Sequence, residues 1–190
     1  MIRVLIVDDH AIVRQGLRRI LEEAKGMKVA GEAANGVEAL KMLRTEKFDV
    51  ILLDISMPEK NGIDTLKQIM ERNRDAKVLM LSMYPEDQYA VRLMKAGASG
   101  YLTKETAPEQ LVEAIRTVVE GKKHINPTLA ELLLQECGMD SGKQVSEIAE
   151  TLSLSVKTIS TYRAHILEKM KLKNNAELTY YVMQNGLKEE

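Results

Sequence analysis

The feature that most constrains this fold is a set of four short apolar runs, each followed by a polar residue. The runs are 4–7 before Asp8 and Asp9, 50–53 before Asp54, 78–81 before Ser82, and 101–103 before Lys104. Runs of this length that alternate with longer amphipathic stretches are typical of buried parallel strands joined by helices. Because ligands bind outside the carboxyl ends of such strands, the pattern predicts that these five side chains meet at one edge of the sheet.

The alternation of strand and helix repeats five times and predicts a doubly wound α/β fold, a (βα)5 domain over residues 1–121. Glycine and proline support this frame, because Gly36 and Pro108 lie near predicted helix starts and Gly121 follows the fifth helix. The predicted strands are 3–8, 28–33, 50–54, 77–82 and 100–103, and the predicted helices are 11–24, 36–44, 62–72, 87–95 and 108–120.

The remainder of the chain has helical patterns and no strand pattern. A linker over residues 122–140 contains a helix predicted over 126–136, which begins at Asn126 and Pro127. Residues 141–190 form a small all-α domain, in which apolar spacing predicts helices over 145–152 and 156–169, separated by a short turn. This is a helix-turn-helix pattern, and a last helix is predicted over 176–185.

The distribution of charge is more informative than its total, since 27 basic and 28 acidic residues nearly cancel. Residues 156–173 carry five Lys or Arg and one Glu, a basic face of the kind that phosphate contacts require. In a helix-turn-helix, the start of the second helix reaches base edges. The alternative is an ordinary helical hairpin with a solvated basic face. The base-edge candidates are Lys157, Thr158, Ser160, Thr161 and Arg163, with Tyr162 and Lys169 nearer to phosphate.

The strand-end acids predict a metal-assisted phosphate chemistry. Three carboxylates at one sheet edge repel one another unless a cation lies among them, and hard oxygen ligands suit Mg²⁺. Asp54, between the ion and Lys104, is then placed to take a phosphoryl group, and Ser82 can offer its hydroxyl to a phosphoryl oxygen. The alternative is that each acid is a helix N-cap or a solvated loop residue.

Residues 1–121 resemble the receiver domain of bacterial response regulators. The resemblance is carried by Asp8-Asp9, Asp54 followed by Met57-Pro58, Ser82 and Lys104. It implies that a sensor histidine kinase donates a phosphoryl group to Asp54. It also implies that a conformational switch forms, although from the residues alone Tyr101 is simply a core or edge aromatic. The implied roles are Mg²⁺ binding by Asp8, Asp9, Asp54 and the backbone carbonyl of Ser56, phosphoryl contact by Lys104, and switching by Ser82 and Tyr101.

The stretch Ser155-Val156-Lys157-Thr158-Ile159, followed by Ile166 and Lys169, resembles the DNA-binding domain of NarL/FixJ, or LuxR-type, regulators. Tyr162 stands where that family often has histidine. Together the two resemblances imply a transcription regulator that binds double-stranded promoter DNA. Phosphorylation of the receiver is then expected to control homodimerisation or to expose the recognition helix.

The second resemblance includes one departure. The family's DNA-binding domain opens with a further helix before the segment at residues 144–152, whereas this chain passes almost directly from the linker to Ser141-Gly142-Lys143. A helix of ~11 residues is therefore missing. Three explanations stay open: a stretch omitted near residues 139–141, a real deletion, or replacement by the linker helix.

Two other functional classes compete with the regulator. One is an Mg²⁺-dependent phosphotransferase or phosphatase with Asp54 as nucleophile, since a doubly wound fold does not fix function; the other is a regulator that acts through protein partners. We favour a non-enzymatic regulator, because the sequence offers no separate substrate cap. A single cysteine, Cys137, excludes an internal disulfide framework, and no signal segment or apolar run of ~18 residues is found. A cytoplasmic protein without membrane contact is expected.

Overall fold

A computed structural model of the chain describes residues 1–83, 86–126, 128–130, 145–152 and 155–169. The chain divides into two compact units, Met1–His124 and Ile125–Glu190.

The first unit alternates five strands and five helices. The strands are β1 (Ile2–Val7), β2 (Met27–Ala33), β3 (Val50–Asp54), β4 (Val78–Ser82) and β5 (Gly100–Thr103). The helices are α1 (Ala11–Glu23), α2 (Gly36–Thr45), α3 (Gly62–Arg72), α4 (Glu86–Lys95) and α5 (Ala107–Val119). The predicted doubly wound fold is thus confirmed, and each predicted element in this unit agrees with the structure to within one residue at either end.

All strands pair in parallel, in the order β2-β1-β3-β4-β5. The chain moves outward from β1 to β2 and then crosses back to β3, so the order reverses between β1 and β3. In an open parallel sheet this switch point leaves a crevice at the carboxyl ends of the two strands. Asp8 follows β1 and Asp54 ends β3, so both acids lie at that crevice.

Apart from the edge strand β2, the strands are mostly buried, because helices cover both faces of the sheet. On one face, the apolar sides of α1 and α5 pack against alternate residues of the strands, including Val4, Ile6 and Leu52. The intervening residues, such as Leu5 and Leu53, are also fully buried. This explains why the strands appear in the sequence as continuous apolar runs rather than as an alternating pattern.

The described part of the second unit is helical. Asn126 caps a short helical stretch at residues 128–130, because its side-chain oxygen accepts a hydrogen bond of 2.8 Å from the Leu129 backbone N–H. Two further helices, α6 (Val145–Leu152) and α7 (Val156–Lys169), pack against each other and bury Ala149 and Ile159. Their bounds coincide with the predicted helix-turn-helix.

Several expectations concern residues outside the described ranges. These are most of the linker helix, Cys137, the turn at residues 141–143 with the expected loss of a helix before it, and the last helix at 176–185. None of the helices in the described part of the chain combines the length and apolar character that a membrane span requires.

Candidate functional site

The polar residues that follow the strands lie together at one edge of the sheet. Leu53 is the register partner of Val7 and Leu81 that of Asp54, so the ends of β1, β3 and β4 are level with one another. The Lys104 backbone N–H donates to the Ser82 carbonyl oxygen at 2.7 Å, which fixes the residue after β5 beside the end of β4. The topology therefore brings the predicted acids, hydroxyl and ammonium to the same edge.

Lys104 lies between two buried carboxylates. Its Nζ is 2.7 Å from Asp8 Oδ2 and 3.0 Å from Asp54 Oδ2. The Lys104 side chain is 9% exposed, while Asp8 and Asp54 are almost completely buried. The two acidic oxygens face the ammonium as ion-pair partners but accept no well-aligned hydrogen bond. One cation is thus shared by two buried anions.

The cluster of Asp8, Asp54 and Lys104 contains more acidic than basic groups. Burial raises the pKa of the Asp54 carboxyl above its ordinary value; Lys104 and the Ser56 backbone oppose that increase, and the charge of Asp8 adds to it. For Lys104, burial favours the neutral amine, but Asp8 and Asp54 together outweigh burial and raise its pKa. One ammonium group therefore faces two acidic side chains whose charges repel each other. An additional cation would relieve this repulsion.

Asp9 completes a group of atoms around the same point that could act as metal ligands. One ligand atom from each of Asp8, Asp9, His10 and Asp54 lies within 4.8 Å of the others. Asp9 Oδ1 is buried and accepts no well-aligned hydrogen bond. Carboxylate oxygens at such spacing, with unused lone pairs, fit Mg²⁺, which takes one or two carboxylates and keeps several waters.

The two expected switch residues are both buried. Ser82 ends β4 and Tyr101 lies in β5, and each is only 1% exposed. Tyr101 therefore packs in the core, as its residue type indicated. Ser56, whose carbonyl was expected to face the ion, is an exposed residue between buried Ile55 and Met57, and its backbone opposes the increase in the pKa of the Asp54 carboxyl.

Two residues near the acids were not assigned a role from the sequence. His10, the N-cap residue of α1, is solvent-exposed and makes no side-chain capping hydrogen bond; its Nδ1 lies 2.9 Å from Asp9 Oδ1. Arg14 donates from Nη1 to the Asp8 backbone carbonyl at 2.7 Å. Only its position, in the first turn of the helix after the acidic pair, could have pointed to it.

In the second unit, α7 presents a polar face to solvent. Ile159 is buried, whereas Lys157, Ser160 and Thr161 are exposed. The Thr161 hydroxyl donates to the Lys157 carbonyl oxygen at 3.0 Å, a bond within the helix. Val156, which was not among the DNA-contact candidates, is 52% exposed at the helix start. The remaining candidates are on α7, but their side chains lie outside the described residues: Thr158, Tyr162, Arg163 and Lys169.

Family models match both parts of the chain. Residues 4–116 match the response regulator receiver domain, and residues 138–182 match the bacterial regulatory proteins of the luxR family. The chain is 38% identical to the response regulator UvrY of Escherichia coli K12, over 98% of this chain and 96% of UvrY. It is 35% identical to the response regulator GacA of Pseudomonas aeruginosa PAO1, over 98% of each chain.

Solved structures agree with these matches. A LuxR-family two-component response regulator from Aurantimonas sp. SI85-9A1 superposes with a TM-score of 0.66 at 35% identity, covering 71% of this chain and 96% of that one. A structure of RcsB in complex with DNA gives a TM-score of 0.64 at 27% identity, over 96% of this chain and 98% of RcsB. The chain therefore belongs to the two-component response regulators, with a receiver domain and a LuxR-type DNA-binding domain. It is a transcription regulator of the NarL/FixJ type.

The alignment with UvrY also bears on the length of this chain. It extends over 209 positions, which exceeds the 190 residues of this chain. UvrY consequently has residues for which this chain has no counterpart.

Proposed function

We propose that Asp54 accepts a phosphoryl group from a sensor histidine kinase, and that this modification controls homodimerisation and sequence-specific binding to double-stranded promoter DNA. The observation that carries the proposal is the position of Asp54, buried at the switch point of the sheet and sharing Lys104 with Asp8. A carboxylate in this setting is a nucleophile with a cation already beside it.

The residues assigned to Mg²⁺ are Asp8, Asp9, Asp54 and the Ser56 carbonyl. The fit rests on the acidic oxygens that accept no well-aligned hydrogen bond and on the excess of negative charge at the site. When bound, the ion would neutralise charge on the phosphoryl oxygens and on the carboxylates around them. Asp8 and Asp9 would hold it at the edge of the sheet, where a phosphate donor would approach Asp54 through the crevice.

The transfer step uses Asp54 as the attacking group. A carboxylate oxygen of Asp54 forms a bond to phosphorus while the phosphorus–nitrogen bond of the kinase phosphohistidine breaks, and the imidazole takes up a proton as it leaves. We assign to Lys104, 3.0 Å from Asp54 Oδ2, the neutralisation of charge on a phosphoryl oxygen. We assign to the Ser82 hydroxyl a hydrogen bond to another phosphoryl oxygen, and to buried Tyr101 the repacking that follows.

For the DNA-binding part, we assign base-edge contacts to Lys157, Thr158, Ser160, Thr161 and Arg163, and phosphate contacts to Tyr162 and Lys169. Support comes from the exposure of the described members of this set and from the likeness to RcsB, which has been solved with DNA. Exposed Val156 adds an apolar group able to contact a thymine methyl. We propose that this activity takes place in the cytoplasm, where the phosphoryl group from the kinase and the chromosomal DNA are both available.

We further propose that the domains are residues 1–121, a linker over 122–140, and a DNA-binding domain over 141–190 that is shortened before Ser141. UvrY has residues with no counterpart in this chain, which supports a shortening; the sequence pattern alone places it before Ser141. An intact fold without that helix would require the leucines of the linker to supply part of the lost core.

The experiment that tests the function measures binding of the full chain to a pool of genomic DNA fragments, with and without acetyl phosphate and Mg²⁺. We expect the phosphate donor to increase binding by the wild type, to have no effect on Asp54→Ala, and to act normally on Asp75→Ala, a control at an exposed acid. Binding that ignores both the donor and Asp54→Ala would contradict the proposal. Repeated release of phosphate would instead identify an enzyme, and phosphorylation without selective DNA binding would identify a regulator that acts through protein partners.

A further inference from the structure

One guanidinium group connects the acidic residues to the neighbouring strand. Arg14, in the first turn of α1, donates from Nη1 to the Asp8 backbone carbonyl at 2.7 Å and from Nε to Glu32 Oε2 on β2 at 3.2 Å. The Arg14 side chain is only 19% exposed. Arginine suits this position because its planar fork of N–H donors can engage two acceptors in fixed directions.

The carbonyl that Arg14 binds belongs to the peptide group between Asp8 and Asp9. On the other side of Asp8, its backbone N–H donates to the Ala33 carbonyl of β2 at 3.1 Å, one residue after Glu32. Both peptide groups of Asp8 are therefore held by α1 and β2. A rotation of the Asp8–Asp9 peptide would move the Asp9 carboxylate relative to that of Asp8, and the Arg14 hydrogen bond opposes this rotation.

We propose that Arg14, held by Glu32, is a positioning residue that sets the relative placement of the Asp8 and Asp9 carboxylates for binding of a divalent cation. The inference rests on the proposed function of these acids and deepens it. Arg14 acts through the backbone between the ligands. Loss of a group that orients a metal ligand without contacting the metal itself typically changes metal affinity by 10–100-fold.

The chain provides a matched control on the same helix. Arg18 also binds Glu32, with Nε 2.7 Å from Oε1, and its other contact in the described residues is with Glu22. Removal of Arg18 therefore takes a similar cation from the same glutamate without removing the hydrogen bond to Asp8. A difference in Mg²⁺ affinity between the Arg14 and Arg18 variants would therefore reflect the loss of that hydrogen bond rather than a change in local charge.

The test compares the full-length wild type, Arg14→Met and Arg18→Met. Isothermal titration calorimetry gives the Kd for Mg²⁺ without any phosphate donor, and acetyl phosphate then gives the rate of phosphorylation as a function of Mg²⁺ concentration. For Arg14→Met we expect Kd to rise by about tenfold or more, with the rate largely recovered at saturating Mg²⁺. For Arg18→Met both quantities should stay within about twofold of the wild type, well below that range.

Equal Mg²⁺ affinity in all three proteins would overturn the inference, as would an equal loss in both variants. Circular dichroism checks folding, and if Arg14→Met is unfolded, Glu32→Gln is used because it keeps Arg14 but removes the charge that holds it; an unchanged Kd there would also overturn the inference. A wild type that neither binds Mg²⁺ nor becomes phosphorylated would instead contradict the proposed function itself.

Discussion

Gly62 lies so close to the backbone of Asp54 that a Cβ atom at position 62 would be 2.0 Å from the Asp54 carbonyl oxygen. The same atom would be 2.9 Å from the Asp54 carbonyl carbon and from Ile55 Cα. These neighbours are backbone atoms, which cannot rotate away as a flexible side chain would. The first residue of α3 is therefore glycine for lack of space beside the proposed phosphoacceptor.

The first prediction follows from this contact. Gly62→Ala should force the α3 start and the end of β3 apart, lowering the free energy of unfolding by about 1–3 kcal/mol and slowing phosphorylation of Asp54. The control is Gly16→Ala, an exposed position inside α1 where an added Cβ meets no atom within 4 Å. There we expect a gain of about 0.5–1 kcal/mol, since alanine restricts the unfolded chain and favours the helix. Urea unfolding followed by circular dichroism measures both, and equal effects would contradict the steric argument.

The second prediction concerns the cost of ionised Asp54. Because burial raises its pKa in the folded state, folding favours the protonated acid, so stability is lost as the pH rises through the folded pKa. Asp54→Asn should therefore be more stable than the wild type at pH 7 without Mg²⁺, by about 1.4 kcal/mol for each unit between the folded and unfolded pKa values.

Urea titrations of the wild type and Asp54→Asn across a pH series provide the check. The difference in free energy of unfolding between Asp54→Asn and the wild type should decrease as the pH falls towards the pKa of an aspartic acid in the unfolded chain. Below that pH the wild-type carboxyl is also neutral. Lys104 keeps its partner Asp8 at 2.7 Å in the variant, so that contact is a constant in the comparison. A variant less stable than the wild type at pH 7, or a gain that persists in acid, would show that burial is not the dominant influence on Asp54.

The strand ends explain how much of the site could be predicted from the sequence. Parallel strands joined by helices must end at the same edge, so the apolar runs alone indicate that Asp8, Asp54 and Lys104 come together. The hydrogen bond from Arg14 to a backbone carbonyl and the approach of Gly62 to Asp54 leave no periodic signal. Both depend on the exact distance between a helix and a strand end, which apolar spacing does not encode.

In the helix-turn-helix, too, some features could be predicted from the sequence and others could not. The bounds of α6 and α7 follow from apolar spacing, and burial of Ala149 and Ile159 shows which face of each helix points inward. That Thr161 donates to the carbonyl of Lys157 could not be predicted, because a threonine in a helix can either turn its hydroxyl outward or bond to the preceding turn.

The third prediction tests the shared cation. Lys104→Met leaves Asp8 and Asp54 buried without their ammonium partner, and loss of one side of a buried ion pair typically costs about 3–5 kcal/mol. We expect a large loss of stability at pH 7, measured by urea unfolding without Mg²⁺. The control is Lys67→Met, which removes an exposed pair with Asp64 at 3.7 Å and should change stability by less than about 1 kcal/mol.

The double variant Asp54→Asn with Lys104→Met separates electrostatics from packing. If repulsion between uncompensated carboxylates causes the loss, the neutral amide that replaces the Asp54 carboxylate should restore part of the stability, and the two single effects will not add. Additive effects would instead assign the loss to packing of the lysine side chain.

The last prediction tests α7 as the DNA-reading helix. Lys157 is exposed in the first turn of α7, on the side opposite buried Ile159. Base-edge contacts lie at the start of such a helix, so Lys157→Ala should weaken binding to a DNA duplex selected by the wild type by about 1–3 kcal/mol and relax preference at one base position. Fluorescence anisotropy at several salt concentrations measures the affinity, with Lys41→Ala, an exposed lysine of α2, as the control. A uniform loss over all sequences, with a salt slope smaller by about one, would move Lys157 from the base edges to the phosphate backbone, and unchanged binding would exclude this face of α7 from the DNA contact.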